Sequence, residues 1–153
     1  MKTVHIARAL LALLNLFAGL ILMRFTVSKL AAWPISVAAF EDMAKPLGLD
    51  PTAFRISTGF IIGIASLSFF INCLIVLLKK GDNRKRTRIF TINNLYSIGA
   101  MTGALLSEFF LRSSTKWMLV YIAIGIICIS LTNIASCHKS ILNAFFDKGQ
   151  GDR

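Results

Sequence analysis

The sequence predicts an all-α membrane protein: four transmembrane helices in an antiparallel bundle, with a short interfacial helix after the first span. Three observations point there. The chain has 153 residues, 56% of them apolar, with a mean hydropathy of +0.70; soluble domains hold roughly 45–50% apolar residues. Only 16% of the residues are charged, and they gather between long uncharged runs. Four such runs approach roughly 20 residues, the length that crosses the hydrocarbon core. Short loops are all that remains, so residues 1–153 read as one membrane domain. Any site must lie between the helices or on a loop.

The first span covers about residues 7–32. Lys2 and Arg8 precede its apolar core, and Arg24 and Lys29 interrupt its second half. A basic start and the apolar stretch from Ala9 to Met23 also resemble a signal peptide. The apolar character resumes after Arg24, however, and Trp33 follows as an interfacial anchor, so an uncleaved helix is expected. Residues 33–51 form the longest loop. Pro34 suits the first turn of a helix, and Ile35, Val37, Phe40 and Met43 against Glu41, Asp42 and Lys45 form an amphipathic pattern that fits the membrane surface.

The second span, 52–78, opens with Asp50-Pro51, a capping side chain and a residue suited to the first turn. It ends at a basic cluster of Lys79, Lys80, Arg84, Lys85, Arg86 and Arg88. The third span covers 90–111, with Asn93 and Asn94 near its start and Glu108 near its end. A tight turn leads to the fourth, 117–137, which begins at Trp117. In the tail, Ile141, Leu142, Ala144, Phe145 and Phe146 could extend that helix along the inner surface.

Basic residues set the orientation. Eleven of them, in the N-terminus, the 79–88 loop and the tail, fall on one side; Lys45, Arg55, Arg112 and Lys116 fall on the other. Both termini are therefore expected in the cytoplasm, with the chain in a bacterial cytoplasmic (inner) membrane. The same distribution accounts for the net charge of +10. No basic face interleaved with aromatics appears, so nucleic acid is not an expected partner; anionic lipid is.

Gly59 and Gly63 are four apart in the second span, and Gly99 and Gly103 in the third. Such spacing bares one helix face for close approach. With antiparallel spans, Gly63 and Gly103 lie at similar depth, so the second and third spans are expected to pack there.

Arg24, Lys29, Arg55 and Glu108 are the charges that need explaining, because charge within a span is costly and usually faces a partner or water. Lys29 and Arg55 are near enough to the surface to snorkel. Arg24 lies deeper. A structural Arg24–Glu108 pair joining the first and third spans is one reading; a site for an anion or a quinone carbonyl is the other.

No HExxH, Walker or GxSxG motif occurs, so no catalytic residue and no metal ligand set is expected. Cys73, Cys128 and Cys137 are far apart and read as small packing residues. His5 and His138 read as interfacial residues; pairing around a haem would need the helix packing to unite them. Asn94, Ser97 and Thr102 are the polar positions that a small-solute path would use.

The first half carries a resemblance. Phe17-Ala18-Gly19 leads to Ser28-Lys29-Leu30, then Phe40, then Gly48-Leu49 before Phe54-Arg55 and Gly59. Over about residues 10–65 this resembles the DoxX-like family of small four-helix membrane proteins. The resemblance implies a membrane subunit of a quinone-linked oxidoreductase, or a partner in redox-stress or membrane-protein assembly complexes, with Lys29 as the matched residue. Many members carry a glutamate in the second span where this chain has Ile64-Ala65-Ser66. The expected function is a non-catalytic subunit or assembly factor with a membrane-protein partner; a quinone is the one cofactor left open, through the oxidoreductase alternative.

Overall fold

The computed structural model describes the backbone of residues 2–78 and 83–148 and the side chains of residues 6–78 and 84–137. The described residues form five α-helices and no strand: α1 (Lys2–Leu30), α2 (Pro34–Ala44), α3 (Pro51–Leu77), α4 (Asn83–Phe110) and α5 (Trp117–Lys148), with a 3-10 turn at Lys45–Leu47. Ile6–Leu30, Pro51–Leu77, Arg84–Phe110 and Trp117–Cys137 are long and apolar enough to cross a membrane, and the chain is an integral membrane protein. The side chains of His5, His138 and residues 141–146, and all of residues 79–82, lie outside the described residues.

The helix ends follow local chemistry. α1 closes in a Schellman turn: Trp33 N–H donates to the Ser28 carbonyl (3.0 Å) and Ala32 N–H to that of Lys29 (3.4 Å). Ala32 takes the left-handed conformation the motif needs, φ 53°, without being glycine. Gly48, φ 63°, closes the 3-10 turn the same way. At the start of α3 the Asp50 carboxylate accepts from Ala53 N–H at 2.6 Å, with Pro51 in the first turn. α4 begins at Asn83 rather than near residue 90, because Lys and Arg are good helix formers; charge ends the apolar stretch without ending the helix.

The tightest helix pair is α1 against α3. Gly59 and Gly63 face α1, not α4. A Cβ on Gly59 would lie 2.9 Å from Leu30 Cδ2 and 3.2 Å from Lys29 Cβ, and one on Gly63 would lie 3.1 Å from Thr26 Cγ2. The expected Gly63–Gly103 contact is not formed: nothing lies within 4 Å of a Cβ built on Gly99 or Gly103. The bare stripe of α3 is already used by α1. α3 and α4 meet through polar pairs instead, Asn93 Nδ2 donating to Asn72 Oδ1 (3.0 Å) and the Tyr96 hydroxyl to the Ile61 carbonyl (3.0 Å). Ser66 Oγ adds a bond to the Gly19 carbonyl of α1 at 2.8 Å.

All four long helices contribute to the core, through Ala18 and Leu22, Ile62, Ala65 and Phe69, Met101, and Ala123 and Ile126. Beside it lies a layer of buried asparagines, Asn15, Asn72, Asn94 and Asn133, one from each long helix. Asn15 and Asn133 exchange two bonds, and Asn133 Nδ2 also donates to Asn94 Oδ1 at 2.8 Å. Apolar burial gives little drive for association inside a bilayer, so such bonds carry much of the specificity.

Candidate functional site

Away from the asparagine layer, the helices part around a cavity of about 1370 Å³. Its wall runs from Ile21 to Lys29 on α1, from Phe54 to Ile62 on α3, from Tyr96 to Glu108 on α4 and along α5 from Trp117 to Ala123; Ser36, Phe40 and Met43 of α2 close part of it. The open faces of Gly99 and Gly103 belong to this wall. The glycines of α4 thus leave space where those of α3 allow contact. Most of the lining is apolar, and the charged groups at the wall are Arg24, Lys29, Arg112, Lys116 and Glu108.

Glu108 is buried, 6% exposed, and its partners are local. Arg112 donates to both of its carboxylate oxygens (3.0 and 3.1 Å) and the Lys116 backbone N–H to Oε1 (2.6 Å). The Arg24–Glu108 pair is therefore not formed. Arg112 lies just past the end of α4, four positions after Glu108, so the pair forms without bridging two helices. Arg24 is exposed along the cavity wall and has no hydrogen-bond or ion-pair partner among the described residues.

Lys29 is half-buried, its ammonium 5.6 Å from the ring centre of Phe25 and 5.7 Å from that of Phe40. Two aromatic faces within roughly 6 Å stabilise a cation without neutralising it. Phe40 is in turn set by an edge contact with Phe54, centroids 5.1 Å apart. Arg55 does not snorkel. It is 7% exposed and donates to the Lys29 backbone carbonyl, placing a positive charge at the carbonyl end of α1, where the helix dipole favours it. Its place is behind Lys29, outside the cavity wall.

α2 is held across this end by Asp42, whose Oδ2 accepts from the Ser113 N–H (3.0 Å) and hydroxyl (2.6 Å) in the α4–α5 turn. Those bonds hold the Asp42 carboxyl below the usual carboxylate range. Ser36, also in the cavity wall, is 7% exposed and its hydroxyl is buried with no hydrogen-bond partner.

Of the polar positions that a solute path would use, Asn94 is fully buried and bonded both to the Phe90 carbonyl of its own helix and to Asn133 of α5, Ser97 is fully buried and bonded to the Asn93 carbonyl, and Thr102 is exposed. Ser36 and Arg112 were missed from the sequence. For Arg112 the i,i+4 spacing to Glu108 was a usable signal; for Ser36 there was none. Comparison with protein-family models, curated proteins and solved structures found no match.

Proposed function

We propose that this chain is a non-catalytic membrane subunit that holds an amphiphilic molecule drawn from the bilayer. The observation that carries the proposal is the cavity: about 1370 Å³, above the range of roughly 300–1,000 Å³ common for small-molecule pockets, apolar along its length and charged at one end. A molecule with a long apolar part and a polar end matches that distribution.

In this reading the spans run antiparallel with both termini in the cytoplasm. Contacts between the end of α1 and the start of α3 (Lys29 with Arg55) and between their middles (Gly19 with Ser66) support the antiparallel sense. The basic residues on the side of the termini support the orientation. The cavity then opens in the outer leaflet, under α2 at the interface, and a bacterial inner membrane is the proposed location. The resemblance to DoxX-like proteins adds a quinone as the alternative amphiphile and a membrane-protein partner.

Purification in mild detergent, followed by mass spectrometry of extracted small molecules, tests the proposal. The expected result is about one amphiphile per chain, lost in the Gly99→Leu/Gly103→Leu variant, whose new side chains enter the cavity. Equal retention by both proteins, or nothing retained by the wild type, would overturn it. A ring-bearing redox compound in the extract would select the quinone alternative.

A further inference from the structure

The charge at the cavity end is unbalanced. Four basic side chains, Arg24, Lys29, Arg112 and Lys116, line the wall against one carboxylate, Glu108. That carboxylate is already taken by Arg112 and by the Lys116 N–H. Arg24 and Lys29 have no carboxylate within salt-bridge distance among the described residues. Arg24 is exposed and Lys29 feels Glu108 only from beyond salt-bridge distance, so within a bilayer both cations remain open to a further counter-charge.

A second, independent observation lies on the facing helix. Ser36 has a buried hydroxyl with no partner. A buried hydroxyl left unsatisfied is costly, and such groups are normally paired. It sits in the first turn of α2, an eleven-residue helix with no acidic residue there, so the positive end of the helix dipole adds to the same field.

Resting on the amphiphile reading above, we propose that the cavity is selective for an anionic phospholipid. Its phosphate is held by Lys29, Arg24 and the Ser36 hydroxyl, and an acyl chain runs along the apolar wall past Gly103 toward Met101 and Ala123. A phosphate supplies the acceptor oxygens for an ammonium, a guanidinium and a hydroxyl together. Phe25 and Phe40 hold the ammonium of Lys29 without competing for its charge. A zwitterionic phospholipid offers the same phosphate but adds a cation to a site already rich in them. It is therefore the disfavoured competitor.

Native mass spectrometry of the detergent-solubilised chain, titrated with phosphatidylglycerol, phosphatidylcholine or inorganic phosphate, tests the proposal. Phosphatidylglycerol is expected to bind at one per chain and at least tenfold more tightly than phosphatidylcholine. Lys29→Met and Arg24→Gln are each expected to cut that preference at least threefold while phosphatidylcholine binding stays within twofold. That last control shows that the variants keep the cavity. Ser36→Ala removes a neutral donor to the phosphate that both lipids carry, so it is expected to weaken both and leave the preference between them unchanged.

Equal binding of the two lipids by the wild type, with both lost in Gly99→Leu/Gly103→Leu, would overturn the selectivity and leave the amphiphile reading standing. No binding of either lipid would remove both. Displacement of phosphatidylglycerol by millimolar inorganic phosphate would reveal a simple anion site and also overturn the proposal. An unchanged preference in the Lys29→Met/Arg24→Gln double variant would do the same.

Discussion

Asn15 and Asn133, 118 positions apart in the chain, exchange two side-chain hydrogen bonds at 3.1 and 2.9 Å. They join the first and last long helices, which otherwise touch little. Each amide presents both its oxygen and its nitrogen to the other, and Asn133 extends the chain of bonds to Asn94. Asparagine fits this role because one side chain both donates and accepts.

Asn133→Leu removes the central member and leaves Asn15 and Asn94 without that partner. The expected loss is ~1–3 kcal/mol of stability, from about 0.6–2 kcal/mol per interhelical bond in membranes. Unfolding in mixed micelles measures it. Asn93→Leu, which cuts the bonds from Asn93 Nδ2 to Asn72 Oδ1 and, at a long 3.4 Å, to the Ser68 carbonyl of α3, should cost less. The reverse ranking would contradict the place given to Asn133.

The two glycine pairs should respond in opposite ways. Gly59→Val places methyl groups against Leu30 and Lys29, and overpacking of this kind costs about 1–3 kcal/mol. Gly103→Ala meets open space and should leave stability unchanged or raise it by up to ~1 kcal/mol through helix propensity. Thermal denaturation in one detergent compares them. Equal destabilisation would return Gly103 to a packed interface.

Glu108→Gln and Arg112→Met should each lower stability by ~1–3 kcal/mol, since each leaves a buried polar partner short of a bond. The double variant should cost clearly less than the sum, because both singles break one pair. Arg24→Met should change stability by less than about 0.5 kcal/mol. A large loss in Arg24→Met together with additivity in the first pair would restore the interhelical ion pair.

Asp42 gives the α2 contact a pH dependence. Its folded pKa lies below the ordinary value of 3.8 because Ser113 donates to its ionised form. The contribution is fully present above the unfolded value and is lost as pH falls through the depressed one. The stability difference between wild type and Asp42→Ala should therefore be constant from pH 7 to 5 and shrink below pH 4. A difference unchanged at pH 3 would show that the carboxylate charge plays no part.

Hydropathy alone made the four long helices legible, and Asp50-Pro51 marked the start of α3 to the residue. The faces were not legible. In a lipid-exposed helix both sides are apolar, so Leu16 and Phe17, exposed, and Ala18 and Leu22, buried, look alike in sequence. The stripe of Gly59 and Gly63 did signal close approach, but sequence neighbourhood suggested α4 as its partner when α1 was there. Asn15, Asn72 and Asn133 each passed as one polar residue in an apolar run. Taken together, an asparagine in every span, with two adjacent in the third, was the available signal, because an amide in mid-membrane needs a partner. For the site, Lys29 and Glu108 were found by being charged inside a span. Their true neighbours, Phe40 and Arg112, depended on how α2 folds back and how α4 ends.

Occupancy of the cavity by a lipid chain is tested most directly by photo-crosslinking with a phosphatidylglycerol carrying a photoreactive group at the end of one acyl chain. In vesicles of that lipid diluted into phosphatidylcholine, crosslinks are expected at Ile62, Met101, Val120 and Ala123, which are buried along the cavity wall, and should be lost in Gly99→Leu/Gly103→Leu. Crosslinks confined to outward-facing residues such as Leu13, Leu67 and Leu131, unaffected by the cavity-filling variant, would contradict the binding of an amphiphile inside this protein.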